Sequence, residues 1–462
     1  MSARYDLIVI GAGPAGWGAA LQGAKLGLSV LVVDRGAMIG GACVHTGTIP
    51  SKALRETVIR LMNVRRSAQL GLRPVRTRRF SVRDLMGPTD ALVQHHADTV
   101  QSFFERNQVE LVRGTATFVS PKQVRVATGG ERIHYDAERI IIASGSKPRR
   151  PDTIPFDDRI VCDSDSILSL DAIPRSLAVL GGGVIGCEYA CIFATLGVKV
   201  TLVDRRETLL RFLDREILDA LHHRMRRMGV RLLLGEEVAT VRIDTARREP
   251  QAAIELKSGR VVRCDRLLAA AGREPCTEHL ELARAGVQTQ ENGEIKVDEF
   301  YRTSTEGVYA VGDVIGFPAL AGTSMHQGRI ATLHAHGREV QAAPDLPLAV
   351  YTIPEISMVG LTEEACRTRG IVYEVGVARY GEIPRGQICG DTEGLLKIVF
   401  RREDHVVLGV HLIGEGSSEL VHFGMALVHA GGRIDQLATA VFNYPTLSEA
   451  YRIAALDGLN RL

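Results

Sequence analysis

The sequence predicts an α/β protein with two similar units built on parallel sheets and a smaller α+β domain at the C-terminal end. Three observations support this prediction. A strand, a glycine-rich turn and a helix follow one another near the N-terminus, the same pattern returns 170 residues later, and the character of the chain changes near residue 346. With 462 residues, 45% of them hydrophobic, the chain is long enough for about three domains.

The first pattern starts with the apolar run Tyr5 to Ile10, which is typical of a buried strand. A Gly-x-Gly-x-x-Gly motif follows, and a helix is expected over residues 17–26. A second apolar strand at 30–33 ends in Asp34, a position where an acid accepts hydrogen bonds from a ribose. This is the Rossmann arrangement for binding a dinucleotide.

Each glycine of the motif has its own task. Gly11 permits the tight turn, Gly13 lets a pyrophosphate approach the backbone, and Gly16 lets the helix pack on the sheet. The pyrophosphate then lies at the N-terminus of the helix, where unpaired N–H groups and the helix dipole favour an anion.

The pattern occurs twice, because residues 11–36 and 181–206 align at an offset of 170 without a gap and are identical at 11 of 26 positions. The motif glycines and the acid recur as Gly181, Gly183, Gly186 and Asp204. One chain therefore carries two dinucleotide sites. Two such sites suit a flavoenzyme in which FAD occupies one and a nicotinamide cofactor visits the other.

The stretch from Gly40 to Lys52 (GGACVHTGTIPSK) resembles the redox-disulfide helix of the pyridine nucleotide-disulfide oxidoreductases. Those enzymes read Cys-x4-Cys and then Ile-Pro-Ser-Lys. Here Cys43 is present, but Thr48 stands at the second cysteine. Because a disulfide needs two sulfurs, the chain keeps the scaffold that holds a flavin and cannot run the disulfide step there.

The end of the chain lacks the second half of the same machinery. The disulfide reductases carry His-Pro-Thr-x-x-Glu there, with the histidine as acid–base partner of a thiol, whereas this chain has Tyr444 before Pro445. A tyrosine, with an unperturbed pKa of about 10, cannot exchange protons with a thiolate at neutral pH as imidazole does. The joint absence of both halves indicates that the loss is functional.

From Tyr5 to Leu462 the sequence resembles the soluble pyridine nucleotide transhydrogenases, FAD enzymes of this superfamily that exchange hydride between NADPH and NAD. The resemblance rests on Thr48 after Cys43, on residues 352–355 (TIPE), and on residues 442–446 and 454–460. It implies an oxidoreductase of the Si-specific NAD(P)+ transhydrogenase type. Hydride would pass from NADPH to NAD+ through flavin N5 by a ping-pong mechanism, without a redox disulfide.

The resemblance also implies the site residues. For FAD these are Gly11, Gly13, Pro14, Ala15, Gly16, Asp34, Arg35, Gly40, Gly41, Ala42, Cys43, Thr48, Lys52, Ala116, Ser144, Gly145, Gly312, Asp313 and Ala321. For NAD(H) and NADP(H) they are Gly181, Gly183, Ile185, Gly186, Glu188, Asp204, Arg205, Arg206 and Gly272. Lys52 is expected to face the flavin and to pair with Glu188, and the predicted catalytic residues are Lys52, Glu188 and Cys43. A helix over 318–330 is expected to point its N-terminus, near Gly322 and Thr323, at the flavin.

Four segments follow from the motifs and the resemblance. Residues 1–148 form the first part of an FAD-binding domain, 149–274 an NAD(P)-binding domain, 275–345 the second part of the FAD-binding domain, and 346–462 an interface domain. In the family the interface domain dimerises, so a homodimer or a higher homo-oligomer is expected by analogy.

Two roles stay open. Cys43 is expected to be an inert buried side chain beside the flavin, with a thiolate that stacks on the flavin or a peroxide-reactive sulfur as alternatives; the direction of His45 is not determined. Asp204 is typical of NAD binding and repels the 2′-phosphate of NADP, whereas Arg205 and Arg206 would bind that phosphate. A site with dual specificity is therefore expected.

Three other functions compete with transhydrogenation. The first is a dihydrolipoamide dehydrogenase or another disulfide reductase, against which Thr48 and Tyr444 count. The second is an NAD(P)H oxidase, peroxidase or quinone reductase. The third is a flavoprotein that binds nucleotides as a redox sensor or enzyme subunit without turnover of its own.

Composition excludes several classes. The net charge is +2, and positive and negative residues are interspersed along the chain, so no strongly basic region indicates binding to nucleic acid. The eight cysteines form no Cys-x2-Cys pair, so neither a zinc site nor a secreted disulfide framework is expected. The start of the chain lacks a signal peptide, and no apolar run is long enough to span a membrane. A cytoplasmic location is expected.

Two further elements are predicted between the first helix and Gly145. An amphipathic helix is expected over 90–106, started by residues 88–90. A solvated loop is expected to carry a cluster of arginines, namely Arg65, Arg66, Arg73, Arg76, Arg78, Arg79 and Arg83.

Overall fold

A computed structural model describes residues 3–36, 39–69, 81–246, 249–341 and 346–462. The predicted arginine-rich loop falls partly outside these ranges, which do not include Arg73, Arg76, Arg78 and Arg79. For the other three arginines the loop prediction is wrong, because all of them lie in helices.

The N-terminal part of the chain contains seven strands and four helices within the described ranges. The strands are β1 Ala3–Ile10, β2 Val30–Asp34, β3 Glu110–Arg113, β4 Thr115–Ser120, β5 Gln123–Thr128, β6 Glu131–Ile142 and β7 Ser146–Pro148. The helices are α1 Pro14–Lys25, α2 Gly41–His45, α3 Thr48–Gln69 and α4 Val82–Arg106.

The middle part repeats the strand–turn–helix–strand pattern. Its strands are β8 Val161–Cys162, β9 Ser176–Leu180, β10 Lys199–Asp204, β11 Arg231–Leu234, β12 Val238–Asp244, β13 Gln251–Leu256, β14 Val261–Cys264, β15 Arg266–Ala269 and β16 Arg273–Pro275. Its helices are α5 Val184–Thr195 and α6 Arg215–Arg227.

The remaining elements return to the first sheet and then form the C-terminal domain. The strands are β17 Val308–Ala310, β18 Leu348–Val350, β19 Ile356–Gly360, β20 Tyr373–Arg379, β21 Leu395–Arg401 and β22 Val407–Ile413. The helices are α7 Ala321–Ala335, α8 Glu363–Thr368, α9 Pro384–Cys389, α10 Ser417–His429, α11 Ile434–Thr439 and α12 Glu449–Leu459.

The strands of the described ranges form five sheets. The two nucleotide-binding units each contain a sheet with a parallel centre, the C-terminal domain contains an antiparallel sheet, and two small antiparallel sheets are formed by β12-β13-β14 and by β16-β7. This arrangement confirms the predicted fold class. The first sheet has the order β3-β2-β1-β6-β5-β4, with β17 also paired to β6, and the second has the order β11-β10-β9-β15-β8. Strand β1 is parallel to both β2 and β6, and β9 is parallel to both β10 and β15. The C-terminal sheet, β18-β19-β22-β21-β20, is antiparallel throughout.

Burial explains why the central strands read as continuous apolar runs. Leu7, Ile8 and Val9 on β1 are all 0% exposed, because helices or other layers cover both faces of a parallel sheet. Helix α1 packs closely on this sheet, since a Cβ at Gly16 would lie 1.8 Å from the carbonyl oxygen of Gly11. The duplicated unit has the same close approach, with 1.9 Å at Gly186.

Three helices begin elsewhere than predicted. Helix α1 starts at Pro14, because the fixed φ of proline suits the first turn. Helix α4 starts at Val82 rather than near residue 90, because Ser81 and Asp84 form a capping box in which each side chain accepts the backbone N–H of the other. Helix α7 starts at Ala321, three residues later than predicted.

A buried ion pair joins the second sheet's domain to the C-terminal domain. Lys397 on β21 is 1% exposed, and its Nζ lies 2.9 Å from Oδ1 of Asp214, the N-cap of α6. Glu363 also pairs with this ammonium. A buried cation needs such partners because desolvation of an unpaired charge costs several kcal/mol.

Replacing Lys397 with methionine should destabilise the fold, because it leaves the Asp214 carboxylate buried without its cation. Removal of one partner of a buried ion pair costs about 3–5 kcal/mol, so the thermal unfolding midpoint measured by circular dichroism should fall by several degrees. Lys257→Met is the matched control: Lys257 pairs with Glu237, but both side chains are more than half exposed, and such pairs contribute about 0–1 kcal/mol. Equal midpoints for the two variants would contradict the prediction.

Candidate active site

A cavity of about 460 Å³ is lined by residues from both nucleotide-binding units and from the C-terminal domain. This volume lies within the range of small-molecule and cofactor sites. Most of the residues predicted to bind FAD line it: Gly11, Gly13, Pro14, Ala15, Asp34, Gly41, Ala42, Cys43, Thr48, Lys52, Ser144, Gly145, Gly312, Asp313 and Ala321. Of the residues predicted to bind NAD(P), Ile185 and Glu188 line it.

The other predicted residues lie away from the cavity wall. Gly16 packs α1 on the sheet, Gly40 precedes α2 with a φ of 119°, Ala116 is buried in the core, and Arg35 approaches the sulfur of Cys276 at 3.6 Å. The remaining residues predicted for NAD(P) line no part of this cavity: Gly181, Gly183, Gly186, Asp204, Arg205, Arg206 and Gly272.

An ion pair lies in the wall of the cavity. Lys52 Nζ, on α3, is 2.6 Å from Oε2 of Glu188, on α5, and the Glu188 side chain is only 6% exposed. The other carboxylate oxygen, Oε1, accepts the backbone N–H of Tyr351 at 2.9 Å. Both carboxylate oxygens therefore have a partner, and the structure brings together Lys52 and Glu188, two of the three predicted catalytic residues, while the third, Cys43, lines the same cavity.

Tyr351 is a site residue that the sequence analysis missed. The Lys52 ammonium lies 5.0 Å from the centre of the Tyr351 ring, a geometry in which the ring face attracts the cation. Tyr351 lines the cavity and directly precedes the TIPE segment, which served only as a family mark. Its position beside this segment was the one feature of the sequence that could have marked Tyr351 as a site residue. No local sequence pattern, however, predicts a contact between residues that are 299 positions apart.

Cys43 is a free thiol that lines the cavity beside Thr48. Burial raises the pKa of the Cys43 thiol, although the Thr48 hydroxyl and the Lys52 charge act in the opposite direction. A thiol with a raised pKa is protonated, and therefore weakly reactive, at neutral pH. His45 faces elsewhere, since its Nε2 is 2.9 Å from the carbonyl oxygen of Ile39.

The features that could hold a cofactor are a glycine cradle, free polar groups and a helix end. A Cβ at Gly41 would lie 3.0 Å from the Cα of Gly13, so the two backbone segments approach each other closely. Because neither glycine has a side chain, a ligand in the cavity can come close to both backbones. The Ser144 hydroxyl is buried and has no hydrogen-bond partner among the described residues. Helix α7 has no side-chain cap and lines the cavity with its first residues, so its unpaired N–H groups are available to a bound acceptor. These groups fit FAD.

Asp313 stands at the edge of the same cavity. Its carboxylate accepts a hydrogen bond from the Ser146 hydroxyl at 2.6 Å, and Arg273 Nε donates to that hydroxyl at 2.8 Å. The preceding Gly312 has a φ of 77° and donates its N–H to Gln327. The chain therefore holds the Asp313 carboxylate in a fixed position, as a polyol ligand requires.

At the end of β10, the Asp204 carboxylate is covered by its neighbours. Its carboxylate accepts the backbone N–H groups of Gly182 and Arg206, and the Arg206 guanidinium covers it with contacts of 2.9 Å from Nε and 2.7 Å from Nη2. Arg205 is exposed. Although burial opposes ionisation, these hydrogen bonds and the Arg206 charge lower the pKa of Asp204.

In the described ranges, no three histidine, cysteine, aspartate or glutamate side chains come together in a way that suits a metal ion. Among the helices of those ranges, none combines the length and the apolar character needed to cross a membrane.

Comparison with known proteins identifies the family. Residues 5–328 match the family described as pyridine nucleotide-disulphide oxidoreductase, and residues 346–455 match its dimerisation domain. The chain is 44% identical over 462 residues to the soluble pyridine nucleotide transhydrogenase of Mycobacterium bovis (strain BCG / Pasteur 1173P2), covering 99% of this chain and 98% of the relative. It is 42% identical over 464 residues to the protein of that name from Colwellia psychrerythraea, with the same coverage.

A solved structure shows the same fold. The crystal structure of LpdA from Mycobacterium tuberculosis superposes with a TM-score of 0.90 at 27% identity, over 98% of this chain and 99% of that one. The resemblance stated from the motifs is confirmed. Since the family match covers more than half of its length and its relatives match end to end, this chain belongs to the pyridine nucleotide-disulphide oxidoreductase family.

Proposed function

We propose that this protein is an FAD-dependent transhydrogenase that moves hydride from NADPH to NAD+ without a redox disulfide. The observation that carries the proposal is Thr48 beside Cys43 in a cavity that also contains the Lys52–Glu188 pair. The names of the relatives at 44% and 42% identity support it. FAD, when bound, supplies a ring that takes hydride from one nicotinamide and returns it to another.

The protein's own contribution is orientation and electrostatics. Glu188 and Tyr351 hold the Lys52 ammonium in one place in the cavity wall. This positive charge therefore does not have to move during the reaction. The N-terminus of α7, which lines the cavity, would provide a second positive pole to stabilise negative charge on a bound cofactor. Val184 and Ile185 at the start of α5 provide the apolar wall for a nicotinamide.

The remaining features of the proposal rest on sequence and family. A tightly held FAD is proposed to contact Gly13, Gly41 and Asp313. The unit at 181–206 is proposed as the single binding site for NAD(H) and NADP(H). The four domain boundaries, a homodimer formed through residues 346–462, and a cytoplasmic location stay predictions. The match of residues 346–455 to a dimerisation domain supports the homodimer.

The rival functions make different demands on the site. A disulfide reductase needs a second sulfur beside Cys43, where this chain has Thr48. An oxidase or quinone reductase needs an electron acceptor other than a nicotinamide. A redox sensor needs no turnover at all.

One stopped-flow experiment on the purified holoenzyme tests the proposal. NADPH should bleach the flavin absorbance, and thio-NAD+ added afterwards should restore it, because one site serves both half-reactions. Lipoamide, glutathione disulfide and dissolved oxygen serve as control acceptors and should restore the absorbance far more slowly. Fast recovery with a disulfide, oxygen uptake matching NADPH oxidation, or a protein without flavin would each contradict the proposal.

The protonated state of Cys43 gives a pH prediction. Because its pKa is raised above the ordinary value of 9.0, the thiolate is scarce at pH 7 and forms only as the pH rises through that higher pKa. Alkylation of Cys43 by iodoacetamide, followed by mass spectrometry, should therefore be slow at pH 7 and faster above pH 9. Cys389, which is exposed, is the internal control. Faster labelling of Cys43 than of Cys389 at pH 7 would contradict an inert thiol.

Replacing Lys52 with methionine should slow flavin reduction by NADPH. The substitution removes a fixed charge from the reacting end of the cavity, and the loss of one such group typically costs about 10²–10³ in rate. Rapid-mixing absorbance measurements give the rate constant, and Lys25→Met, at an exposed lysine of α1, is the control. A rate constant for Lys52→Met within twofold of wild type would remove Lys52 from the mechanism.

A further inference from the structure

The Asp204 carboxylate already has hydrogen-bond partners within the chain, whereas an acid that binds a ribose must have an oxygen free to accept its hydroxyl groups. Its side chain is 4% exposed. Two backbone N–H groups, from Gly182 and Arg206, and two guanidinium nitrogens of Arg206 already occupy its carboxylate oxygens. The acid is therefore neutralised and covered by its neighbour two residues along the chain.

We propose that Asp204 and Arg206 form an exchangeable ion pair that lets one site accept both NAD(H) and NADP(H). This inference rests on the proposed function and adds a mechanism for its dual specificity. It replaces the expectation that Asp204 handles one nucleotide and the arginines handle the other. The two side chains act as a unit, so a change in either one alters the binding of both nucleotides.

With NADP(H), the 2′-phosphate takes the guanidinium away from the acid. The Arg206 side chain is 38% exposed, so it can turn towards a ligand from its solvent side. Asp204 keeps the N–H groups of Gly182 and Arg206 after the guanidinium leaves and stays ionised in place. Charge-assisted bonds between a guanidinium and phosphate are strong and often bidentate, and the exposed Arg205 adds a second cation.

With NAD(H), the pair stays closed. A 2′-hydroxyl carries no charge and cannot compete with the carboxylate for Arg206. The ribose then meets an ion pair whose charges cancel, and this environment neither attracts nor repels it strongly. Without Arg206, Asp204 would be a bare acid, which bonds a ribose diol well and repels a 2′-phosphate.

No other charged group close to Asp204 in the described ranges takes the place of Arg206 as its partner. Glu207 and Arg205 are exposed. Glu236, whose backbone N–H bonds to the carbonyl oxygen of Asp204, pairs through its side chain with Arg260 at 2.9 Å. Arg206 is therefore the cation that decides whether Asp204 is masked.

Calorimetric titration of the holoenzyme with 2′,5′-ADP and with 5′-AMP tests the proposal, because these two probes differ only in the 2′-phosphate. Arg206→Gln should weaken 2′,5′-ADP about 10–100-fold, as expected for loss of a charged hydrogen bond, and should tighten 5′-AMP severalfold by unmasking Asp204. Arg205→Gln is the matched control. It should weaken 2′,5′-ADP by less than about tenfold and change 5′-AMP by less than twofold.

A double-mutant cycle with Asp204→Asn completes the test. In the Asp204→Asn background, Arg206→Gln should cost more 2′,5′-ADP affinity than in wild type, because Arg206 no longer has to leave an ion pair with the acid in order to bind the 2′-phosphate. Additive effects, or unchanged 5′-AMP binding by Arg206→Gln, would overturn the proposal. If Asp204→Asn does not fold, the 5′-AMP result with Arg206→Gln alone decides. Wild-type protein that binds neither probe would instead overturn the proposed function.

Discussion

The ion pair between Lys52, which is partly exposed, and the buried Glu188 is the contact on which the site depends. Glu188 is almost fully buried, and an unpaired carboxylate there would carry a large desolvation penalty. The pair therefore ties α3 of the first unit to α5 of the second, and the N–H of Tyr351 adds the C-terminal domain to the same point. The Glu188 carboxylate is therefore one point at which three parts of the chain meet.

The same device recurs elsewhere in the molecule. Lys397 and Asp214 join β21 to α6 beneath the surface, and Asp204 and Arg206 close the end of β10. The apolar cores stabilise each sheet, but apolar packing is not directional. A hydrogen-bonded charge pair is directional because of its preferred distance and angle, and loss of one partner is costly. Such pairs are therefore suited to fix the relative positions of two nucleotide sites that must cooperate at one flavin.

Thr48 shows how a change of chemistry leaves the fold intact. Threonine occupies the helix position of a cysteine, so α2, α3 and the glycine cradle keep their geometry while the sulfur pair is lost. The solved structure of LpdA, at 27% identity, shares the same architecture. Function in this family is therefore decided by a few side chains on a common scaffold.

The sequence by itself determined the two nucleotide-binding units with their parallel strands and glycine turns, because these follow from patterns a few residues long. The α+β domain at the C-terminal end was expected from the resemblance to a family. The predicted start of α4 was wrong although a capping box at Ser81 and Asp84 was readable. Only the tertiary structure decided that Tyr351 lies against Lys52 and that Arg206 covers Asp204. The first contact joins residues distant in sequence, and the second depends on a side-chain rotamer, so neither leaves a periodic signal in the chain.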